Sequence, residues 1–473
     1  MKTSVIGYPR IGTLRELKFA SEKYFRKEIT SVELLDTAKS LREIHWNTQK
    51  SSGIDFISSN DFSFYDMTLD TAVLFNIIPN RYRELNLSDL DTYFAMARGF
   101  QDNSGDVKAL AMKKWFNTNY HYIVPEVEDD TEIKLVGNKL FDEYNEAKSL
   151  GIETKPVVIG PYTLLKLCRF IGNKNCADFV DAVINAYKDL VTKCEENGVK
   201  WLQVDEPSLV KDMTSDDLAL FNKIYDEILS TKQNCKVLLQ TYFGDVRDVY
   251  SDLINKPFDG IGLDFIEGKE TYNLVNKFGF PSDKVLFAGL VNGKNIWKNH
   301  YKKTLETLND LKNKGINTVL STSCSLLHVP YTLKHETKLD AKYLSHFSFA
   351  EEKLVELSEL KLLADSSDYA NEEIYKNNKK LFTEQRDCFN QAVHNRLSSV
   401  TDKDYTRLPA RAERQKLQKI ELNLPLFPTT TIGSFPQTKE VKVNRSAFKK
   451  GEISKEEYVD FNKKKIAECV KFQ

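Results

Sequence analysis

The amino-acid sequence predicts an α/β protein that begins with a closed TIM-type (β/α)8 barrel over residues 1–345. Up to that point, short apolar runs rich in β-forming residues alternate with longer runs of helical pattern. The helical runs also have recognisable first and last residues. Alternation of this kind is typical of parallel strands joined by right-handed crossovers, and eight such units close a barrel.

The predicted strands are short, mainly apolar runs at residues 4–6, 54–57, 157–159, 201–204, 237–239, 260–263, 285–288 and 318–320. Thr30 and Glu33 have capping-box spacing at the start of one helix. Gly198 and Gly315 end two other helices as the residues just past the last turn. Residues 115–124 fit either a ninth strand or a long loop.

The rest of the chain predicts a helical linker over residues 346–425 and the first βα unit of a second, incomplete barrel over residues 426–473. Strand-like runs disappear after about residue 345 and charged residues dominate. A strand pattern bracketed by prolines follows at residues 425–436. The order of segments at 6–9, 15–18 and 25–30 is echoed at 432–436, 439–442 and 448–454. This echo favours duplication of a barrel over chance similarity.

Composition indicates an ordinary globular protein. The chain has 473 residues, 41% of them apolar, and a formal net charge of -1, so no general field attracts nucleic acid or a membrane. Its seven scattered cysteines include no C-x-x-C pair, which is typical of reduced thiols in a cytoplasmic protein. The first residues lack the apolar run of a signal peptide.

Several segments, taken in order along the whole chain, resemble the cobalamin-independent methionine synthase family. They are Gly7-Tyr8-Pro9-Arg10-Ile11-Gly12, Arg15-Glu16-Leu17-Lys18, Lys114-Trp115-Phe116-Asn117-Thr118-Asn119-Tyr120-His121-Tyr122, Leu202-Gln203-Val204-Asp205-Glu206-Pro207 and Phe427-Pro428-Thr429-Thr430-Thr431-Ile432-Gly433-Ser434-Phe435-Pro436-Gln437-Thr438. The resemblance implies two barrels that face each other. It also implies methyl transfer from 5-methyltetrahydropteroyltri-L-glutamate, a polyglutamylated folate, to L-homocysteine.

The resemblance implies zinc, and no cobalamin, in the complete enzyme. The family's zinc ligands are a His-x-Cys pair, a Glu and a final Cys, and the metal keeps homocysteine as a nucleophilic thiolate. In the family's layout they lie beyond residue 473. Tyr242 and Gly244 stand where a duplicated barrel would carry the His-x-Cys pair, and the lone Cys324 is more typical of a buried small side chain. We therefore expect no metal ligand and no catalytic residue in this chain, and no activity without the missing carboxy-terminal barrel as its partner.

The resemblance assigns folate binding to six residues, two of which, Arg15 and Lys18, follow the first predicted strand at the rim where barrel enzymes place ligand contacts. They are Arg15, Glu16, Leu17, Lys18, Lys114 and Asn119. A chain of glutamate carboxylates needs cations, and Lys and Arg supply charge-assisted hydrogen bonds. The alternative is a solvated helix start, but cations are mildly unfavourable there, which favours a ligand.

The resemblance assigns homocysteine binding to Ile432, Gly433 and Ser434, where a glycine lets the backbone approach a ligand closely. A simple turn at a strand end explains the same residues equally well. Asp205 and Glu206 form a carboxylate pair suited to acid–base chemistry, but a hydrogen-bonding or packing role is the favoured interpretation.

Two other functions stay open from the sequence. One is a self-sufficient barrel enzyme that uses Asp205, Glu206 and Glu267 on a small substrate. The other is a non-catalytic module that binds folate or a partner protein. Whether residue 473 is a natural end is not decided by the sequence.

Overall fold

The computed structural model describes residues 1–102, 105–384, 389–431 and 433–473. The chain divides into two compact units, Met1–Glu384 and Gln385–Gln473. The first unit contains the predicted barrel.

Eight parallel strands form the barrel of the first unit. They are β1 (Lys2–Ser4), β2 (Ile57–Ser59), β3 (Thr154–Ile159), β4 (Trp201–Asp205), β5 (Lys236–Gln240), β6 (Gly260–Asp264), β7 (Val285–Val291) and β8 (Thr318–Thr322). Each strand pairs with the next in the chain from β2 to β8, and β8 pairs with β1. The ring closes between β1 and β2, where Phe56 N donates to Thr3 O at 3.0 Å. The predicted (β/α)8 barrel is confirmed, and each predicted strand overlaps or directly adjoins an observed one.

The helices of the first unit cover the barrel or its loops. They are Glu16–Phe25, Ser31–Ser51, Met67–Leu74, Asn80–Arg83, Asp89–Arg98, Lys139–Ser149, Pro161–Leu167, Cys176–Glu196, Ser215–Leu229, Tyr250–Asn255, Thr271–Phe278, Tyr301–Asn313, Ala341–Leu344, Ala350–Asp365 and Glu373–Thr383. Short 3-10 turns lie at Pro207–Val210, Leu326–His328, Leu333–His335 and Tyr369–Asn371. The predicted capping box at Thr30 forms, with Glu33 N donating to the Thr30 hydroxyl. In the part of the chain that the structure describes, no helix is both long enough and apolar enough to span a bilayer.

The barrel interior has an apolar end and a polar end. Where the strands begin, the rings of Phe56, Trp201 and Phe287 meet with centroids 5.2 to 5.7 Å apart. Towards the carboxyl ends, the buried ammonium of Lys155 donates to Val5 O at 2.8 Å and to the Gln203 side chain. The aromatic layer closes the bottom of the barrel, so the polar groups face the opposite end, where barrel proteins bind ligands.

The first unit extends to Glu384 instead of ending near residue 345. The helix Ala350–Asp365, which the sequence places in the linker, buries Leu354, Leu357 and Leu360 completely. Its Lys353 ammonium donates to Trp297 O at 3.2 Å. The amphipathic pattern of this helix is hidden in the sequence, because Lys353 and Glu356 lie on its buried face and the apolar Val355 and Leu362 lie on its exposed face.

The second unit, where the structure describes it, consists of the helices Gln391–Ser398, Arg411–Leu422, Lys439–Lys450 and Lys455–Phe472 and the 3-10 turn Asp402–Tyr405. The last two helices pack together, with the rings of Phe448 and Tyr458 stacked at 4.6 Å. The strand expected at residues 425–436 does not form among its described residues, which is a correction to the predicted βα unit. A strand needs a paired neighbour, and the described part of this unit contains none.

Two further antiparallel strand pairs and one parallel pair lie outside the barrel. They are Phe100–Asp102 with Gly105–Val107, Met112–Lys114 with His121–Ile123, and Glu126–Glu128 with Arg169–Ile171. Residues 115–124 are therefore neither a ninth barrel strand nor an open loop: they form the turn and second strand of a hairpin.

Replacing Lys155 with Met should destabilise the first unit by about 3–5 kcal/mol, because the change leaves Val5 O and the Gln203 side chain without a donor and Asp205 without a nearby cation. Urea unfolding of the 473-residue chain measures the loss. Lys200→Met is the matched control: its 3.3 Å ion pair with Glu153 is largely exposed, so the change should cost less than about 1 kcal/mol. Equal losses in the two variants would contradict the structural role of the buried ammonium.

Candidate functional site

A cavity opens at the mouth of the barrel, lined by residues that follow β1, β2, β4, β5 and β8. Its floor includes Asp205 and Tyr242, and Ser325 and His328 line one side. The hairpin 112–123 supplies aromatic side chains to another side. Side chains from strand ends converge here because the carboxyl ends of all parallel strands meet at one rim.

Gly7 allows the first strand to end against this cavity. A Cβ atom at this position would lie 2.7 Å from Ser325 Oγ, closer than real carbon contacts allow. Tyr8 N, the next backbone donor, binds Asp61 Oδ2 at 2.7 Å, and Ser58 Oγ donates to the same oxygen at 2.7 Å. The Gly-Tyr pair therefore connects β1 to the loop after β2 through the Asp61 carboxylate.

Asp205 is the buried carboxylate of the cavity floor. Its Oδ1 accepts from Gln203 Nε2 at 2.7 Å, and its Oδ2 accepts from the Tyr242 hydroxyl at 3.1 Å. Burial raises the pKa of Asp205 to about 7, although these hydrogen bonds and the Lys155 ammonium act in the opposite direction. The group can therefore exchange a proton near neutral pH.

Glu206 faces away from that network, into the barrel wall. It accepts from Tyr162 N at 2.9 Å, Thr163 N at 2.7 Å and the Tyr225 hydroxyl at 2.5 Å. Burial raises its pKa to about 7, and the donors partly offset the shift. Glu206 thus joins the helix Pro161–Leu167 to β4, as the favoured packing interpretation proposed, and does not pair with Asp205.

The hairpin is fixed across the barrel mouth. Asp66 Oδ2 accepts from Ile123 N at 3.0 Å near its second strand. At its tip, Asn117 Nδ2 donates to Glu267 Oε2 at 2.9 Å, and Lys294 Nζ donates to Asn117 Oδ1 at 2.7 Å. Glu267, considered above as a catalytic carboxylate, is thus held in an ion pair with Lys294 at 2.9 Å.

The predicted folate residues of the first helix lie outside this cavity. Arg15 precedes the helix Glu16–Phe25 in a left-handed conformation with φ of 65°. The Arg15 and Lys18 cations lie 5.7 and 5.8 Å from the centroid of the exposed Phe19 ring. Lys18 also approaches Glu22 at 3.7 Å. The two cations therefore form one exposed positive surface, the Arg15–Lys18 surface, around Phe19.

Glu16 and Leu17 hold this segment in place. Glu16 Oε2 accepts from Leu14 N at 3.0 Å, while Leu17 is buried against Leu41 and Phe62. Gly12 has φ of +79°, and a Cβ there would lie 2.1 Å from Glu16 Oε2. A glycine is therefore required to turn the chain from β1 into the helix.

The other predicted binding residues are exposed. Lys114 ends the first strand of the hairpin, and Asn119 lies in its turn, where neighbouring Asn117 makes the contacts across the mouth. In the second unit, Gly433 and Ser434 are exposed in a bend. Ile432 lies outside the described residues.

Within the described ranges, no group of three or more His, Cys, Asp and Glu side chains is placed to hold a metal ion. Cys324 is buried beside Ile6, Tyr242 and Phe243, and burial raises the pKa of its thiol. A neutral buried thiol is a poor metal ligand and a poor nucleophile. The described part of this barrel therefore does not supply the ligands that a zinc ion requires.

Sequence reasoning missed most of the cavity lining. Arg10, Asp61, Asp66, Ser325 and His328 all contribute. One signal could have found Arg10, Asp61 and Ser325: each follows a predicted strand within five residues. Asp66 and His328 depend on loops whose course the strand pattern does not give.

Two family profiles match this sequence. The N-terminal domain of the cobalamin-independent synthases matches residues 2–315, and their catalytic domain matches residues 427–473. The chain belongs to the cobalamin-independent methionine synthase family. The match over the first barrel also agrees with the motifs that carried the resemblance.

Relatives align with the whole chain. A 5-methyltetrahydropteroyltriglutamate–homocysteine methyltransferase of Streptococcus thermophilus is 54% identical over all 473 residues, and one of Campylobacter jejuni subsp. doylei is 53% identical. The chain spans 62% of the length of each of these relatives. Because the matches cover all of this chain, they give no support to the prediction that it is inactive by itself.

Solved structures share the fold. A protein of Listeria monocytogenes described as a vitamin-B12 independent methionine synthase has a TM-score of 0.53 and 13% identity, covering 77% of this chain and 98% of its own. A B12-independent methionine synthase of Shewanella sp. W3-18-1 has a TM-score of 0.52 and 14% identity, covering 76% and 97%. At such low identity these similarities show the barrel fold alone.

Glu206 should make folding depend on pH. Its folded pKa of about 7 lies above the ordinary value of 4.5, so the stability it contributes is complete below about pH 4.5 and is lost as the pH rises through about 7. Between about pH 5 and about pH 8 this loss should be roughly 2 to 3 kcal/mol. Glu206→Gln should remove that part of the slope in urea unfolding measured at both pH values.

Glu227→Gln is the control for this slope. It removes a carboxylate from a partly exposed ion pair with Lys188 at 2.8 Å and leaves the barrel wall intact. The control should keep the wild-type slope. A Glu206→Gln protein with an unchanged slope would show that Glu206 is ionised in the folded state across this range.

Proposed function

We propose that this chain takes part in methyl transfer from 5-methyltetrahydropteroyltri-L-glutamate to L-homocysteine, and that its first barrel binds the glutamate chain of the folate. Relatives at 53–54% identity carry the name of this methyltransferase. The observation that carries the assignment to the first barrel is the Arg15–Lys18 surface, where two exposed cations flank Phe19 after β1.

The chemistry of the ligand fits this surface. A triglutamate chain carries several carboxylates on a flexible backbone, and cations on an exposed surface reach them at little desolvation cost. Arg15 can bind a carboxylate through two parallel N–H groups, and Lys18 adds a point charge one helical turn away. We assign Lys114 and Asn119 to the same ligand, and Ile432, Gly433 and Ser434 to homocysteine.

Within the four-residue motif, the charged contacts belong to Arg15 and Lys18. Glu16 is an anion that already accepts from Leu14 N, and Leu17 is 3% exposed. These two residues hold the surface in position. The described residues do not supply the ligands that zinc requires. The methyl-transfer step itself is therefore not assigned to any residue of the first barrel.

Lys18→Ala should weaken binding of the triglutamate folate by about tenfold or more, since a charge-assisted hydrogen bond contributes roughly 1.5–3 kcal/mol. Binding of the monoglutamate folate should change much less. Calorimetric titration of the 473-residue chain with both ligands measures the difference. Lys23→Ala, at an exposed lysine of the same helix, is the matched control and should leave both affinities unchanged. Equal weakening of the two folates by Lys18→Ala would place the lysine at another part of the ligand.

A non-catalytic binding module is the alternative function. We expect the 473-residue chain to bind the triglutamate folate without forming methionine from homocysteine, because its described residues provide no set of metal ligands. A methyl-transfer assay with added zinc tests this. Methionine formation at a rate proportional to the concentration of the chain, abolished by a chelator, would contradict this expectation.

A further inference from the structure

We propose that the cavity at the mouth of the first barrel is a second small-molecule site, which takes the zwitterion of an α-amino acid with an apolar side chain. It is separate from the proposed folate surface, because none of Arg15, Lys18, Lys114 and Asn119 lines it. One cation, three carboxylates and an aromatic wall meet in this cavity.

Arg10 is the cation of the cavity. Its guanidinium makes no side-chain hydrogen bond and no close ion pair with any residue in the described ranges. Burial raises the pKa of the nearby Asp66 carboxyl to about 6, and the Arg10 charge offsets part of that rise. A guanidinium with its donors unused, at the side of a cavity, is suited to bind a carboxylate through two N–H groups. We therefore expect Arg10 to bind the carboxylate of the ligand.

Asp61 and Asp205 supply the opposite charge. They lie near enough for the Asp61 charge to raise the pKa of Asp205. Both hydrogen bonds that Asp61 accepts end on Oδ2, while Asp205 accepts one on each oxygen. A carboxylate accepts up to four hydrogen bonds, so both groups keep capacity for an ammonium ion.

The remaining wall is aromatic and apolar. Trp115, Tyr120 and Tyr122 come from the hairpin, and Tyr65 and Leu327 add to this wall. Trp115 and Tyr122 pack edge to face at 5.9 Å. Such rings accommodate an aliphatic side chain, and their faces also attract an ammonium group.

His328 adds a polar contact without adding charge. It lines the cavity beside Tyr120, and its Nδ1 is buried with no hydrogen-bond partner among the described residues. Burial lowers its pKa to about 4, so the ring is neutral at physiological pH. A neutral imidazole nitrogen left without a partner is suited to a hydrogen bond with a bound polar ligand.

This combination selects a zwitterion over simpler ligands. A purely anionic ligand would meet Asp61, Asp66 and Asp205, and a simple amine would leave the Arg10 guanidinium without an anion. A free metal ion is disfavoured because Arg10 lies in the same cavity and no metal-binding group forms among the described residues. An α-amino acid can bind Arg10 through its carboxylate and the aspartates through its ammonium group at the same time.

Calorimetric titration of the 473-residue chain with L-valine, L-leucine and L-norleucine tests the proposal. At least one of these amino acids should bind with a dissociation constant below about 1 mM. Isoamylamine lacks the carboxylate of leucine, and isocaproate lacks its ammonium group. Both should bind at least about tenfold more weakly than L-leucine. Absence of binding by all three amino acids would overturn the proposal.

Two variants test the residue proposed to bind the carboxylate separately from the residue proposed to bind the ammonium group. Arg10→Gln should weaken the amino acids and isocaproate but not isoamylamine, whereas Asp205→Asn should weaken the amino acids and isoamylamine but not isocaproate. Asp61→Asn replaces Asp205→Asn if the latter does not fold, as judged by circular dichroism. Arg26→Gln, at an exposed ion pair with Glu28, is the matched control and should bind like the wild type. Equal weakening of all ligands by Arg10→Gln would mean that the arginine acts through the fold, and would overturn the assignment.

Discussion

The barrel depends on one buried ammonium group. Lys155 Nζ lies inside the ring and donates to the backbone after β1 and to a side chain of β4, so it ties together three strands that are not all neighbours. A charge in this position is costly unless it is paired and fully hydrogen-bonded. Val5 O and the Gln203 side chain accept hydrogen bonds from the ammonium, and the nearby Asp205 charge favours its protonated form. Gln203 Nε2 also donates to Ile6 O at 3.1 Å.

The division of the interior follows from this network. Large aromatic rings fill the end where the strands begin, and polar groups occupy the end where they finish. The polar end is the one that opens into the mouth cavity. The Asp205 carboxylate at the mouth is part of the same hydrogen-bonded layer that stabilises the barrel, and burial raises its pKa.

Two surfaces with different electrostatic character follow from this arrangement. The Arg15–Lys18 surface is exposed and cationic, and solvent screens it, so it suits a flexible polyanion. The mouth cavity is enclosed, mixed in charge and lined by rings, so it suits a compact ligand with both charges. The hairpin between Asp66 and Glu267 forms one wall of the cavity and also carries Lys114, so its position bears on the cavity and on the folate contact that we propose for Lys114.

The sequence by itself determined the barrel, because the alternating apolar runs and the helix caps that mark its strands and helices are local patterns. It also determined the family, through Arg15, Lys18 and the other motif residues. The tertiary structure decided what depends on distant contacts: that Asp205 faces the mouth while its neighbour Glu206 faces the wall, that Asn117 rather than Asn119 reaches Glu267, and that helix Ala350–Asp365 belongs to the barrel unit. Successive residues at a strand end point to opposite sides, and the partners named here lie 37 to 150 residues away in the chain, which no local pattern records.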